Sequence, residues 1–127
     1  MTRLFLIGLA GALGTCTRYL VGLLAARVLG TGFPFGTLCV NLAGCFLIAG
    51  ISYVALSTDL ISPTLRLTLT TGFMGGLTTY SSFNLETTQM LQARAWYAAS
   101  LNFGATVAGC FLAGLLGFAA ARRMVGP

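Results

Sequence analysis

The chain alternates long apolar stretches with short polar connectors. Four stretches, residues 4–26, 35–56, 65–91 and 96–121, are each near or above the ~20 residues that cross a hydrocarbon core. The connectors between them carry turn-forming residues such as glycine, proline and serine. The pattern predicts an all-α membrane protein, a single four-span domain over residues 1–127. We expect the first stretch to be retained, because it contains Arg18 and lacks a convincing cleavage site.

Composition excludes several classes of protein. Of 127 residues, 57% are hydrophobic and 7% are charged, which is incompatible with an ordinary soluble domain. There is no histidine, and Asp59 and Glu86 are the two carboxylates, so neither nucleophilic pairs with histidine nor paired acid–base catalysis is supported. The four cysteines lack zinc spacing and are expected to be small buried hydrophobes. We therefore predict neither an enzyme nor a transition-metal site, and no nucleic-acid partner.

The arginines bear on orientation in the membrane. The net charge is +5, from seven arginines and two acids. Four crossings divide the arginines into Arg3, Arg66, Arg122 and Arg123 on one side and Arg18, Arg27 and Arg94 on the other. Since cytoplasmic segments normally carry the basic excess, this near balance barely fixes an orientation. It predicts that the chain inserts both ways round and pairs with an inverted copy of itself.

A glycine- and hydroxyl-rich segment interrupts the third stretch. Residues 71–86 read TGFMGGLTTYSSFNLE. Glycines supply flexible or close-approaching backbone, and threonine side chains compete with helical hydrogen bonds. The segment therefore predicts a broken third helix, with freed carbonyls that suit a small cation. Since irregular backbone at membrane depth needs protein, water or an ion as a partner, we predict that the break is the functional site.

Polar residues also recur within the second and fourth stretches. Thr37 and Asn41 are four residues apart and share a helix face, as do Asn102 and Thr106. Small polar residues often serve only helix crossings, and this interpretation is favoured for Thr106. For Asn41 we favour a functional role, because a carboxamide with two N–H donors can replace water around an anion.

Four further side chains have alternative interpretations. Arg18 either snorkels to the membrane interface or supplies positive potential at the mouth of an anion path. Glu86, just beyond the break, fits a helix cap or an interfacial ion pair. Tyr80 and Phe83 lie on one helix face, where they either pack a crossing or present positive ring edges to a dehydrated anion.

Three motifs carry a resemblance to a known family. GGLTTYSSF followed by an acidic residue three positions on, GTLCVNLAG in the second stretch and an early TRY resemble the Fluc family of fluoride channels, also called CrcB. The resemblance covers nearly the whole chain. It implies a dual-topology antiparallel homodimer in the bacterial inner membrane, whose broken third helices cross around a structural sodium ion beside two fluoride pores. It also implies passive export of fluoride from the cytoplasm, which lowers fluoride toxicity.

The resemblance also assigns residues. It implies pore aromatics at Tyr80 and Phe83, a pore amide at Asn41 and sodium-facing carbonyls at Gly75 and Thr78. It adds the following polar residues to the fluoride path or its support: Ser81, Glu86, Thr37, Arg18, Asn102 and Thr106. Two departures from the family pattern are Tyr80, where phenylalanine is usual, and Asn84, where serine or threonine is common.

Two other functions fit the size and charge of the chain. A small dual-topology exporter of cationic drugs is expected to carry a carboxylate in its first span, where this chain has Arg18. A non-transporting assembly subunit would use its polar faces only against partner helices.

Overall fold

The computed structural model describes residues 1–126, which contain helices and no β-strand. The elements in chain order are α1 (Thr2–Leu29), α2 (Phe35–Ser57), α3 (Pro63–Leu67), a π-helical segment (Thr68–Met74), α4 (Gly75–Leu77), α5 (Tyr80–Gln92) and α6 (Trp96–Val125). Of these, α1, α2 and α6 are long and apolar enough to cross a membrane. They confirm three of the four predicted apolar stretches as helices.

The third predicted stretch folds as consecutive helical segments. α3 begins where Ser62 accepts a hydrogen bond from the Leu65 N–H at 3.2 Å, with Pro63 at the first helical position. This is the chemistry expected of a helix start, since proline there gives up no helical hydrogen bond. After α4, Thr78 and Thr79 have extended backbone, and α5 begins at the next residue. The chain therefore leaves helical geometry at two residues within the predicted segment 71–86.

Two of the glycines before these residues, Gly72 and Gly76, serve close packing rather than flexibility. Gly72 and Gly76 both have helical backbone and lie against α1. A Cβ atom on Gly72 would lie 2.9 Å from the Ala10 Cβ, and one on Gly76 would collide with the Gly11 carbonyl oxygen. Of the two roles expected for these glycines, the structure supports close approach.

Hydrogen bonds at the helix ends define one end of the molecule. Arg3 Nε donates to Thr64 Oγ1 at 3.1 Å, joining the start of α1 to α3. Tyr53 donates its hydroxyl to the Gly126 carbonyl oxygen at 3.0 Å, joining the end of α6 to the last turns of α2. The short connector between α2 and α3 brings both pairs to the same end, which is the arrangement that four crossings require.

Helix packing leaves much apolar surface uncovered. α2 packs along α6, where a Cβ atom on Gly117 would collide with the Phe46 carbonyl oxygen, and α1 packs along the π-helical segment and α4. The small buried cluster of Val40, Met74 and Leu77 lies where α2 meets the interrupted stretch. Many leucine and phenylalanine side chains of α1 and α6 are exposed. Such a surface suits a hydrocarbon environment, in which apolar side chains need no cover from water.

Candidate functional site

Asn41 is bound to the backbone at the interruption between α4 and α5. Its side chain, on α2, is 6% exposed. Its Nδ2 donates to the Thr79 carbonyl oxygen at 3.0 Å, and its Oδ1 accepts from the Thr79 N–H at 2.8 Å. In a continuous α-helix that N–H would bond to the carbonyl of Gly75, four residues earlier. Asn41 therefore supplies both partners that the Thr79 backbone loses by leaving the helix.

Thr78 ends α4 and packs against α2. Both its N–H and its hydroxyl donate to the Met74 carbonyl oxygen, at 3.0 and 2.9 Å. Its methyl group lies against Gly44, where a Cβ atom would collide with it. Gly44 thus makes room for the extended residue. Thr78 is half-buried, whereas Gly75, the other predicted sodium ligand, is exposed on the surface of the chain.

Hydroxyl groups cluster at the start of α5. Thr79 Oγ1 accepts from the Ser82 N–H at 3.1 Å and donates to Ser82 Oγ, also at 3.1 Å. It lies 3.1 Å from the hydroxyl of Ser81, whose residue is exposed. The N-terminal end of a helix carries partial positive charge, so this cluster favours negative charge. Thr79 and Ser82 were not predicted as site residues from the sequence, although their spacing is that of an N-cap and its partner.

The two predicted pore aromatics lie in contact on α5. The ring centroids of Tyr80 and Phe83 are 5.5 Å apart, with an edge-on angle of 62°. Phe83 is 3% exposed, whereas Tyr80 is 76% exposed. Phe83 also forms a ring pair with Phe103 on α6, and the centroids of these two rings are 6.1 Å apart. Phe83 is thus enclosed by the chain, and Tyr80 presents its ring at the surface.

A polar cleft, which we define by Arg18, Thr37, Thr79 and Ser82 among its lining residues, has a volume of about 270 Å³. An adjoining cavity of about 480 Å³ shares Thr37 and includes Glu86. The structure therefore brings polar residues of α1, α2 and the interrupted stretch to one continuous depression. This is where the predicted Arg18 and Thr37 meet the start of α5.

Glu86 is bonded to a hydroxyl. Its Oε1 accepts from Thr37 Oγ1 at 2.6 Å. Its Oε2 is buried and has no hydrogen-bond partner among the residues that the structure describes. The expected interfacial ion pair is thus replaced here by a threonine contact. Among the described residues, nothing therefore offsets the burial of this oxygen.

The predicted residues of α6 lie in the interior. Asn102 is 1% exposed, and its Nδ2 donates to Thr87 Oγ1 at 2.9 Å. Thr106 is 7% exposed, and within residues 1–126 its hydroxyl has no hydrogen-bond partner. Thr87 was not identified as a site residue from the sequence. The signal that could have identified it is its position four residues after Phe83, which places both residues on the same face of α5.

Comparison with known proteins gives consistent matches over nearly the whole chain. A family model described as "CrcB-like protein, Camphor Resistance (CrcB)" matches residues 5–118. The "Fluoride-specific ion channel FluC" of Sorangium cellulosum (strain So ce56) is 49% identical over 125 residues, covering 98% of each chain. The protein of that name from Anaeromyxobacter sp. (strain K) is 49% identical over 113 residues, covering 89% of this chain and 90% of its own. The one from Geobacter sulfurreducens is 44% identical over 124 residues, covering 98% of this chain and all of its own. The family match over residues 5–118 and these identities show that the chain belongs to the CrcB-like family.

Proposed function

We propose that the chain is an ion channel that passes fluoride passively across a bacterial membrane. The polar cleft carries this proposal, because it gathers hydrogen-bond donors from separate helices at the start of α5. The bacterial relatives at 44–49% identity that are named fluoride-specific ion channels support the choice of ion. Passive export would lower the fluoride concentration in the cytoplasm.

The chemistry of the cleft favours a small, strongly accepting anion. The guanidinium of Arg18 supplies positive charge, and the hydroxyl of Ser82, which accepts from Thr79 Oγ1, keeps its own hydrogen as a compact donor. Fluoride loses its water only where such donors replace it, and the N-terminal end of α5 adds a favourable field. We propose that the anion enters through this cleft and passes the hydroxyl of Ser81.

Asn41 and the aromatic pair form the inner part of the proposed path. Within the described residues, hydrogen bonds to Thr79 occupy Oδ1 and one hydrogen of Nδ2 in Asn41. The second Nδ2 hydrogen remains to donate to an anion. The ring edges of Tyr80 and Phe83 carry positive quadrupole density and add weak contacts from which an ion can leave. Weak successive sites are what conduction requires.

We also propose that residues 63–92 form one interrupted span and that two chains pair antiparallel through it. The exposure of Tyr80, Ser81 and Gly75 on one chain and the near balance of arginines support this arrangement. The Gly75 carbonyl has lost the Thr79 N–H to Asn41, which leaves a hard oxygen of the kind that suits sodium. The Thr78 carbonyl would be the second sodium ligand on each chain. Tags on the N-terminus should be accessible from both sides of intact cells, and accessibility from one side alone would refute the dual topology.

Efflux from liposomes tests the function directly. The purified chain should release fluoride from loaded liposomes and retain chloride, with protein-free liposomes as the control. Comparable fluoride and chloride rates would indicate a general anion channel. Release of neither ion would favour the assembly subunit.

A further inference from the structure

The backbone carbonyl of Phe83 is held by hydrogen bonds that extend to another helix. Thr87 Oγ1 donates to the Phe83 carbonyl oxygen at 2.7 Å, and Asn102 Nδ2 donates to the same Thr87 oxygen at 2.9 Å. Phe83 is 3% exposed, Thr87 is 9% exposed and Asn102 is 1% exposed. In such an interior a satisfied polar network is rigid, because breaking it leaves buried groups unpaired.

These two hydrogen bonds, from Asn102 to Thr87 and from Thr87 to the Phe83 carbonyl, form a relay that fixes α5 relative to α6. A threonine hydroxyl that only donates to the carbonyl four residues earlier is bonded within its own helix. Here the same hydroxyl also accepts from Asn102, so the turn that carries Phe83 is attached to α6. The ring of Phe103, the residue after Asn102, lies 6.1 Å from the Phe83 ring, centroid to centroid. α6 therefore holds Phe83 through both its backbone and its ring.

We infer that Thr87 and Asn102 are positioning residues for fluoride conduction, which set the location of the Phe83 ring without contacting the ion. The inference rests on the proposed pore role of Phe83. A ring edge attracts an anion only in a limited range of distance and angle, so a small displacement of this turn of α5 would change the rate of conduction. Asn102 would thus support the fluoride path through Phe83, because one hydrogen of its Nδ2 is directed to Thr87.

The first test compares substitutions at two adjacent threonines. Thr87→Val removes the hydroxyl and retains the branched shape, so fluoride efflux from liposomes should fall at least about fivefold, equivalent to ~1 kcal/mol in the barrier. Thr87→Ser keeps the hydroxyl and should retain most of the wild-type rate. Thr88→Val makes the same change at an exposed neighbour and should leave efflux unchanged. Equal loss in Thr87→Val and Thr87→Ser would overturn the inference.

A double-mutant cycle separates positioning from a general loss of structure. Phe83→Met removes the ring, and Thr87→Val should lower the residual efflux no further in that background. Additive losses would overturn the relay. If Thr87→Val does not assemble as the wild type does by size-exclusion chromatography, Asn102→Ala takes its place in the cycle and has the same expected outcome.

The cycle also distinguishes the relay from the proposed function on which it rests. Unchanged efflux in Phe83→Met would overturn the pore role of Phe83 and the relay with it. Impaired efflux in Phe83→Met together with unchanged efflux in Thr87→Val would overturn the relay alone.

Discussion

Substitution of Asn41 by aspartate tests both the bonds that this side chain makes to Thr79 and the pore role that we propose for it. The change replaces Nδ2, which donates to the Thr79 carbonyl at 3.0 Å, with a carboxylate oxygen. The other oxygen can still accept from the Thr79 N–H, as Oδ1 does at 2.8 Å. Asn41→Asp therefore keeps one of the two bonds that hold the interruption and adds a negative charge beside the proposed path.

The substitution affects stability and conduction separately. It leaves the buried Thr79 carbonyl facing a carboxylate oxygen, and a buried charge without a partner costs about 3–5 kcal/mol in the free energy of unfolding. Repulsion between the carboxylate and an anion ~4 Å away amounts to about 4 kcal/mol at an effective dielectric constant of ~20. On the scale of ~1.4 kcal/mol per tenfold, this corresponds to a loss of about a thousandfold in fluoride conduction. Efflux should therefore be compared at equal amounts of folded protein, which separates the loss of conduction from the loss of stability.

Asn41→Ala is the matched control, because it removes both bonds without adding charge. It should destabilise the protein by about 1–3 kcal/mol for each of the N–H and the carbonyl of Thr79 that it leaves unpaired, and it buries no charge. In efflux it should retain more activity than Asn41→Asp wherever it folds. Fluoride efflux and thermal unfolding in detergent, measured on both variants, decide the matter. Unchanged efflux in Asn41→Asp would remove this residue from the path, and an equal loss in both variants would refute the electrostatic argument.

Two further predictions concern the interrupted stretch. If the carbonyls of Gly75 and Thr78 bind sodium between two chains, replacing sodium with N-methylglucamine should lower the melting temperature of the dimer. The expected effect is large, because an ion at 100 times its Kd stabilises the folded state by about 2.7 kcal/mol. An unchanged melting temperature would contradict a sodium site. Gly76→Ala should destabilise the fold by about 1–3 kcal/mol, because the added Cβ collides with the Gly11 carbonyl. Gly104→Ala is the control, because this helical glycine has open space around it. It should leave the melting temperature unchanged or raise it slightly.

Hydrophobic pattern was sufficient to predict the helices of the three continuous stretches. The second and fourth begin at Phe35 and Trp96, as predicted, and the fourth continues from residue 121 to Val125. It continues because helical hydrogen bonds do not require apolar side chains, and Arg122 and Arg123 are favourable at the negative end of a helix. An apolar window marks where a helix leaves the hydrocarbon, which is a different point from where its backbone bonds end.

Helical periodicity was sufficient to predict which polar residues of α2 share a face. The spacing of Thr37 and Asn41 directs both toward the interrupted stretch, where they contact Glu86 and Thr79. Periodicity could not locate the interruption itself. Glycine permits both a turn and close packing, and the choice at Gly76 depends on α1, which the local sequence does not reveal.

The role of Thr87 was hidden for a related reason. A threonine one turn from an aromatic residue is common in helices, and its hydroxyl usually bonds within its own turn. What distinguishes Thr87 is the amide of Asn102, fifteen residues later, which donates to the same oxygen. Contact between helices determines which of the many hydroxyls in this segment bonds to α6. Thr88 has the same side chain at the adjacent, exposed position. Comparing the same substitution at Thr87 and Thr88 therefore separates the effect of tertiary contact from the effect of residue type.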